Sequence, residues 1–291
     1  MTRLFALLAA AFLALLPAAA CAAPSRVVAL APSLAVLALD LEAGHLLVGK
    51  AEGGSEPRLK HLPSIGSYAR PSLERIAGLK PDLCLAIKDG TPPETVRRLR
   101  AAGFPVLVLA PEHFAGLDEA IRQLGDALGK KSEAARLRRM MAARLAKVDA
   151  AVASLPASER KKALIQVQGT PPMFAGPATF SGELLRRAGG SSPLPAAPPY
   201  PRAGVEQVLA MQPEAIIISG MACSEDAAEL WRRLPGLPAA RSKRIFIVDA
   251  DLFSQPSLRS LDALEQLTEL LHPGLLKRGS HSNGGTHGAG N

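Results

Sequence analysis

The side chains in this sequence best suited to recognising another molecule occur twice. Tyr68, Arg70, Glu74 and Pro81 recur as Tyr200, Arg202, Glu206 and Pro213, each pair separated by 132 residues. Between them, Leu73 and Val205, Ile76 and Val208, Leu79 and Met211, and Asp82 and Glu214 are like for like. A tyrosine offers a ring face and a hydroxyl; an arginine offers a planar fork of donors that fits anionic oxygens. Turnover would need a nucleophile beside a base, and the sequence has neither a Gly-x-Ser-x-Gly elbow nor a His-Glu-x-x-His pair. The stretch Gly125-Asp126-Ala127-Leu128-Gly129-Lys130-Lys131 is no phosphate loop, because its glycines are one residue too close and it lies between helical patterns. Asp249 and Asp251, an acidic pair after a predicted strand, read as solvated loop carboxylates. His45, His61 and His113 show no metal-ligand spacing, so no direct metal site is expected.

Two copies of one segment call for two similar scaffolds. Short apolar runs predict strands over 26–31, 46–49, 82–87, 106–109, 163–167, 215–219 and 244–248. Helical patterns alternate with them over 33–43, 72–79, 93–102, 116–128, 132–155, 182–188, 205–211, 226–234 and 257–271. The alternation predicts an α/β chain of two similar lobes with mostly parallel sheets. Ser33 is placed to cap the first helix, and Gly44 to end it in the left-handed conformation. Each repeat helix stops at a proline, Pro81 or Pro213, and leads straight into a strand.

The segment 132–155 stands apart. Leu137, Met140, Met141, Leu145, Val148 and Val152 fall at helical spacing, Ser132 can cap it and Pro156 ends it. Such a helix is about 36 Å long, more than one lobe needs. It therefore divides the chain into an N-terminal lobe (24–131), a connecting backbone helix (132–155) and a C-terminal lobe (156–274). The Gly-, Ser- and Pro-rich stretch 189–199 reads as a loop at the mouth of the second lobe, leading into Tyr200. The tail 275–291, with His281 and His287, has little to bury and is expected to be disordered.

The N-terminus (1–23) reads as an export signal: Arg3, an apolar run over 4–16, Pro17, then small residues suited to cleavage. The run is too short for a comfortable membrane span. Cys21 follows a small residue, as at bacterial lipoprotein processing sites where the cysteine is acylated; plain cleavage near Ala20 or Ala23 is the alternative. The net charge of +8 is scattered, and 1 Trp and 2 Tyr do not make the basic, aromatic-interleaved face that nucleic acid requires. Cys84 and Cys223 fall in different lobes and are expected to be free thiols.

Together these features resemble the periplasmic binding proteins of bacterial vitamin B12 and ferric-siderophore ABC importers. The resemblance spans 26 to about 272. It is carried by Arg26-Val27-Val28-Ala29-Leu30-Ala31-Pro32-Ser33, by Leu62-Pro63-Ser64-Ile65-Gly66-Ser67-Tyr68, by Pro71 through Leu83, and by 200–220 with Pro171-Pro172-Met173-Phe174 upstream. It implies a periplasmic monomer without an intrinsic cofactor, holding a metal chelate between its lobes: a corrinoid, a ferric siderophore or haem. The ligand loops would begin at Pro32-Ser33, Tyr68 to Arg70, Lys88-Asp89, Met173-Phe174, Tyr200 to Arg202 and Leu252-Phe253. Tyr68 and Tyr200 would face each other across the gap, and either could supply an axial oxygen to haem. Arg70 and Arg202 would meet anionic ligand oxygens. Glu74 and Glu206 would dock onto the two subunits of a permease dimer. The rival classes are an enzyme on the same scaffold, and a sensor or scaffold that binds protein.

Overall fold

The computed structural model describes residues 23–219, 224–254 and 256–278. The export signal with Cys21, as well as Cys223, His281 and His287, lies outside the described residues.

In the first lobe, strands β1 (Val27–Ala29) and β2 (Leu47–Lys50), the hairpin β3 (Gly66–Ser67) and β4 (Arg70–Pro71), and strands β5 (Leu83–Ile87) and β6 (Val106–Leu109) follow in chain order. They alternate with helices α1 (Pro32–Asp40), α2 (Leu73–Gly78), α3 (Pro93–Ala101) and α4 (Phe114–Ala127). The main sheet is parallel, in the order β2-β1-β5-β6. Helix α5 (Lys131–Ala153) then leads to the second lobe.

That lobe holds β7 (Lys161–Gln168), β8 (Met173–Phe174), β9 (Gly190–Ser191), β10 (Ala215–Ile218) and β11 (Ile245–Ile247). Its helices are α6 (Phe180–Arg187), α7 (Val205–Met211), α8 (Glu225–Arg232), α9 (Pro238–Arg241), α10 (Ala250–Ser254), α11 (Ser260–Leu271) and α12 (Leu275–Arg278). β9, β10 and β11 are parallel to their neighbours, with β9 on β7, β7 on β10 and β10 on β11. Counted along each lobe, the parallel strands of both sheets lie in the order second, first, third, fourth.

The repeat is visible in detail. Lys80 (φ 47°) and Gln212 (φ 50°) are both left-handed, each just before its proline, where the ordinary helical conformation is disfavoured. The next residues, Asp82 and Glu214, each accept backbone N–H groups at the start of their lobe's first strand. Asp82 takes those of Ser25 (2.7 Å) and Arg26 (2.9 Å), and Glu214 takes that of Lys162 (3.0 Å).

Some local expectations fail for tertiary reasons. Ser33 does not cap α1: Ala31 holds the cap position, Pro32 opens the helix without costing a hydrogen bond, and Ser33 is buried in the first turn. Glu42 (φ 58°), not Gly44, takes the left-handed position after α1. Ser132 lies inside α5 and donates to Glu133 rather than capping. Residues 275–278, assigned by sequence to the tail, form α12 and pack on α5.

Helix α5 is 23 residues long and contacts α4, α6, α11 and α12. Its Leu137, Met141, Val148 and Val152 lie in one apolar core that also takes in Leu34 and Leu37 of α1 and Leu264 and Leu267 of α11. Both lobes therefore share a core, and each buried leucine contributes ~1.5–3 kcal/mol. Arg138 pairs with Asp118 of α4 (2.6 Å), and Arg144 with Asp262 (2.6 Å) and Glu265 (2.9 Å) of α11. Glu183 of α6, nearly buried, accepts the free N–H of Phe114 at the start of α4 (2.9 Å), where a helix favours negative charge.

A second polar tie joins the lobes. Glu56, also nearly buried, accepts from Arg58 (2.7 Å) and pairs with Arg259 of the second lobe. The Arg58 hydrogen bond is the largest of the effects that hold the Glu56 carboxyl down at about 2. Beside this pair Asp40 has a buried Oδ2 with no hydrogen-bond partner among the described residues. Burial pushes Asp40 up to about 6, against the attraction of Arg259 and Arg58 and with the repulsion of Glu56. Because its native pKa lies above the unfolded value, the stability Asp40 contributes is complete at acid pH and is lost as pH rises through about 6. At about 1.4 kcal/mol per pH unit the ionised carboxylate costs up to ~3 kcal/mol near neutrality. Asp40→Asn is therefore expected to raise the Tm at pH 7.5 relative to the parent and to change it little near pH 4.5. Thermal melts across that range read the difference; equal destabilisation at both ends would contradict it.

Candidate ligand cleft

The first tyrosine sits at the tip of a tight hairpin. β3 and β4 pair antiparallel with Gly66 opposite Pro71 and Ser67 opposite Arg70, leaving Tyr68-Ala69 as a two-residue turn. Gly66 (φ 95°) is required there, since a Cβ would lie 2.9 Å from the Arg70 carbonyl oxygen. The Ser67 hydroxyl accepts the Arg70 N–H (3.1 Å), and Ser72 caps α2 by accepting from Arg75 (3.3 Å). Tyr68 is 49% exposed. Its ring lies by Gly90, where an added Cβ would be 3.6 Å from Tyr68 Cδ2. The loop leaving β5 thus underlies the first tyrosine. In that loop Lys88 pairs with Glu112 (3.0 Å), while Asp89 is exposed.

The second tyrosine rides on a strap. β8 pairs antiparallel with the end of β7, and 199–203 runs along β8. Phe174 N–H donates to Pro201 O (2.9 Å), Gly176 N–H to Pro199 O (2.8 Å) and Ala203 N–H to Pro172 O (3.2 Å). Tyr200 and Arg202 lie on this strap. Tyr200 is 46% exposed and its hydroxyl is pushed above its ordinary value of 10, first by burial, then by Asp89 and Tyr68. Both of those groups belong to the other lobe. Tyr200 thus lies within electrostatic reach of Asp89 and Tyr68 of the other lobe, near the carboxyl ends of the strands, where open α/β sheets bind ligands.

The other expected site residues divide. Arg70 and Arg202 are exposed, and neither has a carboxylate partner among the described residues. Met173 is half-buried and bridges to Arg202. Pro32 is half-buried beneath Gly53 and Gly54, and Ser33 is buried. Phe174 and Phe253 need correction as ligand contacts. Both are fully buried: Phe174 packs 6.1 Å from Trp231, and the Phe253 backbone carbonyl accepts from Ser181 Oγ (3.2 Å). The core takes these rings because each lies in a short element, β8 or α10, that packs over the sheet. Asp89 was legible only as part of a loop; its influence on Tyr200 of the other lobe emerges from the fold. Glu74 and Glu206 stand exposed in the first turns of α2 and α7.

Among the described residues no His, Cys, Asp and Glu cluster could hold a metal ion, and no helix is long and apolar enough to cross a membrane. Cys84 is a free, buried thiol that burial pushes up to about 12, so it is no nucleophile near neutrality.

The sequence pattern of the family described as periplasmic binding protein matches residues 27–252. A vitamin B12-binding protein of Vibrio parahaemolyticus is 28% identical over 251 residues, which cover 84% of this chain and 88% of the relative. The periplasmic vitamin B12 binding protein BtuF of Vibrio cholerae superposes with a TM-score of 0.77 at 24% identity, covering 89% of this chain and 99% of that one. The periplasmic haem-binding protein RhuT of Roseiflexus, in its apo form, superposes with a TM-score of 0.77 at 26% identity, covering 86% of this chain and 99% of that one.

If one space holds all three groups, Asp89→Asn should shift the later of the two tyrosine ionisations to lower pH. A spectrophotometric titration in the phenolate band, with Tyr68→Phe to assign the two steps, measures this. An unmoved Tyr200 step would separate Asp89 from the cleft.

Proposed function

The chain belongs to the periplasmic binding protein family, and on that premise we propose that it captures a metal-bearing chelate between its lobes and presents it to an ABC permease. The observation that carries this reading is the pair of exposed tyrosines, one from each lobe, with the Tyr200 hydroxyl responding to Asp89 and Tyr68 of the other lobe. A flat, mostly apolar macrocycle buries its faces against such rings. Arg70 and Arg202 flank them in sequence with guanidinium groups that form no ion pair among the described residues, suited to phosphate, propionate or catecholate oxygens. The ligand class is a corrinoid or an iron chelate, with relatives named for vitamin B12 and for haem supporting each. For haem, Tyr68 or Tyr200 would supply the axial oxygen.

Export by the N-terminal signal delivers the protein to the periplasm, with Cys21 as the candidate lipid anchor. Glu74 and Glu206, at matched positions on the two lobes, suit docking onto a two-fold permease. A carboxylate in a first helical turn is stable without any partner, but that does not account for its recurrence in both lobes. An enzymatic role finds no nucleophile–base pair among the cleft residues.

Titration of the mature protein with cyanocobalamin, a ferric siderophore and haem, followed by absorbance and calorimetry, tests the reading. One of the three is expected to bind at one per chain, and Tyr68→Ala or Tyr200→Ala to weaken it by about tenfold or more, from loss of ring contact. Indifference of that binding to both substitutions would contradict the cleft. Reversing Glu74 and Glu206 together to Arg should abolish uptake while solution binding persists; uptake that survives would remove the docking role.

A further inference from the structure

One hollow lies away from the cleft. A cavity of about 350 Å³ opens at the amino-terminal edge of the second sheet, lined by Lys161, Glu214, Pro238, Arg241, Ser242 and Arg244. Lys161 begins β7, Glu214 immediately precedes β10 and Arg244 immediately precedes β11. In a parallel sheet these positions share one edge, opposite the one that carries Tyr200.

Three cations and one carboxylate meet there. The carboxylate is occupied: Glu214 accepts the Lys162 N–H (3.0 Å) and the Lys161 ammonium (3.3 Å). The two arginines are held by backbone oxygens. Arg244 donates one N–H to Leu271 O (3.0 Å), and Arg241 donates through Nη1 to Pro235 O and Gly236 O (3.3 Å each). These tethers aim each guanidinium while leaving its other N–H groups uncommitted, and neither arginine forms an ion pair among the described residues. Glu214 lies within electrostatic reach of Arg244, yet one carboxylate among three cations leaves the hollow net positive, and its like charges repel unless a further anion lies between them. His272, behind the wall with its ring nitrogen 3.2 Å from Gly189 O, feels the same field: its pKa is lowered by burial first, with Lys161 and Arg244 adding to the effect.

We propose that this pocket is a second binding site, independent of the cleft, for a phosphate group. The group is either free phosphate or the headgroup of an anionic phospholipid. A tetrahedral dianion accepts from several donors at once and offsets both guanidiniums, which a single carboxylate does less completely.

The test titrates the mature, unacylated chain with inorganic phosphate by calorimetry at constant ionic strength. In parallel, vesicles of phosphatidylglycerol and of phosphatidylcholine are floated with the chain. Arg241→Glu and Lys161→Gln are the variants; both change side chains at the pocket rim, and circular dichroism checks that each folds. Saturable phosphate binding, weakened tenfold or more by either variant, supports the site with free phosphate as its source. Flotation with phosphatidylglycerol alone, lost in either variant and without phosphate heat, supports the headgroup. Absence of both signals in the parent chain, or signals unchanged in both variants, overturns the proposal.

Discussion

The structure depends on one constraint: a single helix holds two sheets at a set separation. α5 is buried along one face in a core that both lobes share, and its charged residues are pinned to α4 on one side and α11 on the other. A helix is stiff over this length, so the loops at the two sheet edges cannot drift apart independently. Glu183 on the α4 N-terminus and Glu56 with Arg259 add polar ties across the same interface. Removing one partner of such a nearly buried pair leaves an uncompensated charge, which is why these ties fix geometry more than they add net stability.

Within that frame each lobe solves the same problem by the same means. A short helix ends at a left-handed residue before proline, and a carboxylate then locks the next strand to the first one. What differs is how the tyrosine is presented. The first lobe uses a two-residue hairpin that demands Gly66; the second uses a strap hydrogen-bonded along β8. Two unlike supports holding like residues at like positions put the weight on the residues rather than on the loops. In the proposed reading the rigid edges supply position, and the exposed rings and guanidiniums supply recognition.

Much of this was legible from sequence, for physical reasons. The apolar runs of β5 and β10 betray strands covered on both faces. The long apolar periodicity of α5 betrays a helix packed along its length. The repeat carried the topology of both lobes. The losses came where tertiary context overrides local signals. Ser33 has the chemistry of a cap, but Pro32 beside it fits the helix start better and the core takes the serine. The two-residue strands β3 and β8 are too short to leave a periodic trace. Phe174 and Phe253 look like loop aromatics until the core claims them. The Glu56–Arg259 pair joins residues 203 apart and has no local signature at all.

Two lobes of one plan belong to a periplasmic binding protein; the proposed account adds a cleft between paired tyrosines that grips a bulky metal complex and hands it to a membrane partner. Native mass spectrometry of the mature chain, offered cyanocobalamin, haem and a ferric siderophore in equal amounts, tests that account most directly. It predicts one chelate per chain, absent when Tyr68 and Tyr200 are both alanine. A spectrum showing only the bare chain, or a chelate retained by the double variant, would contradict it.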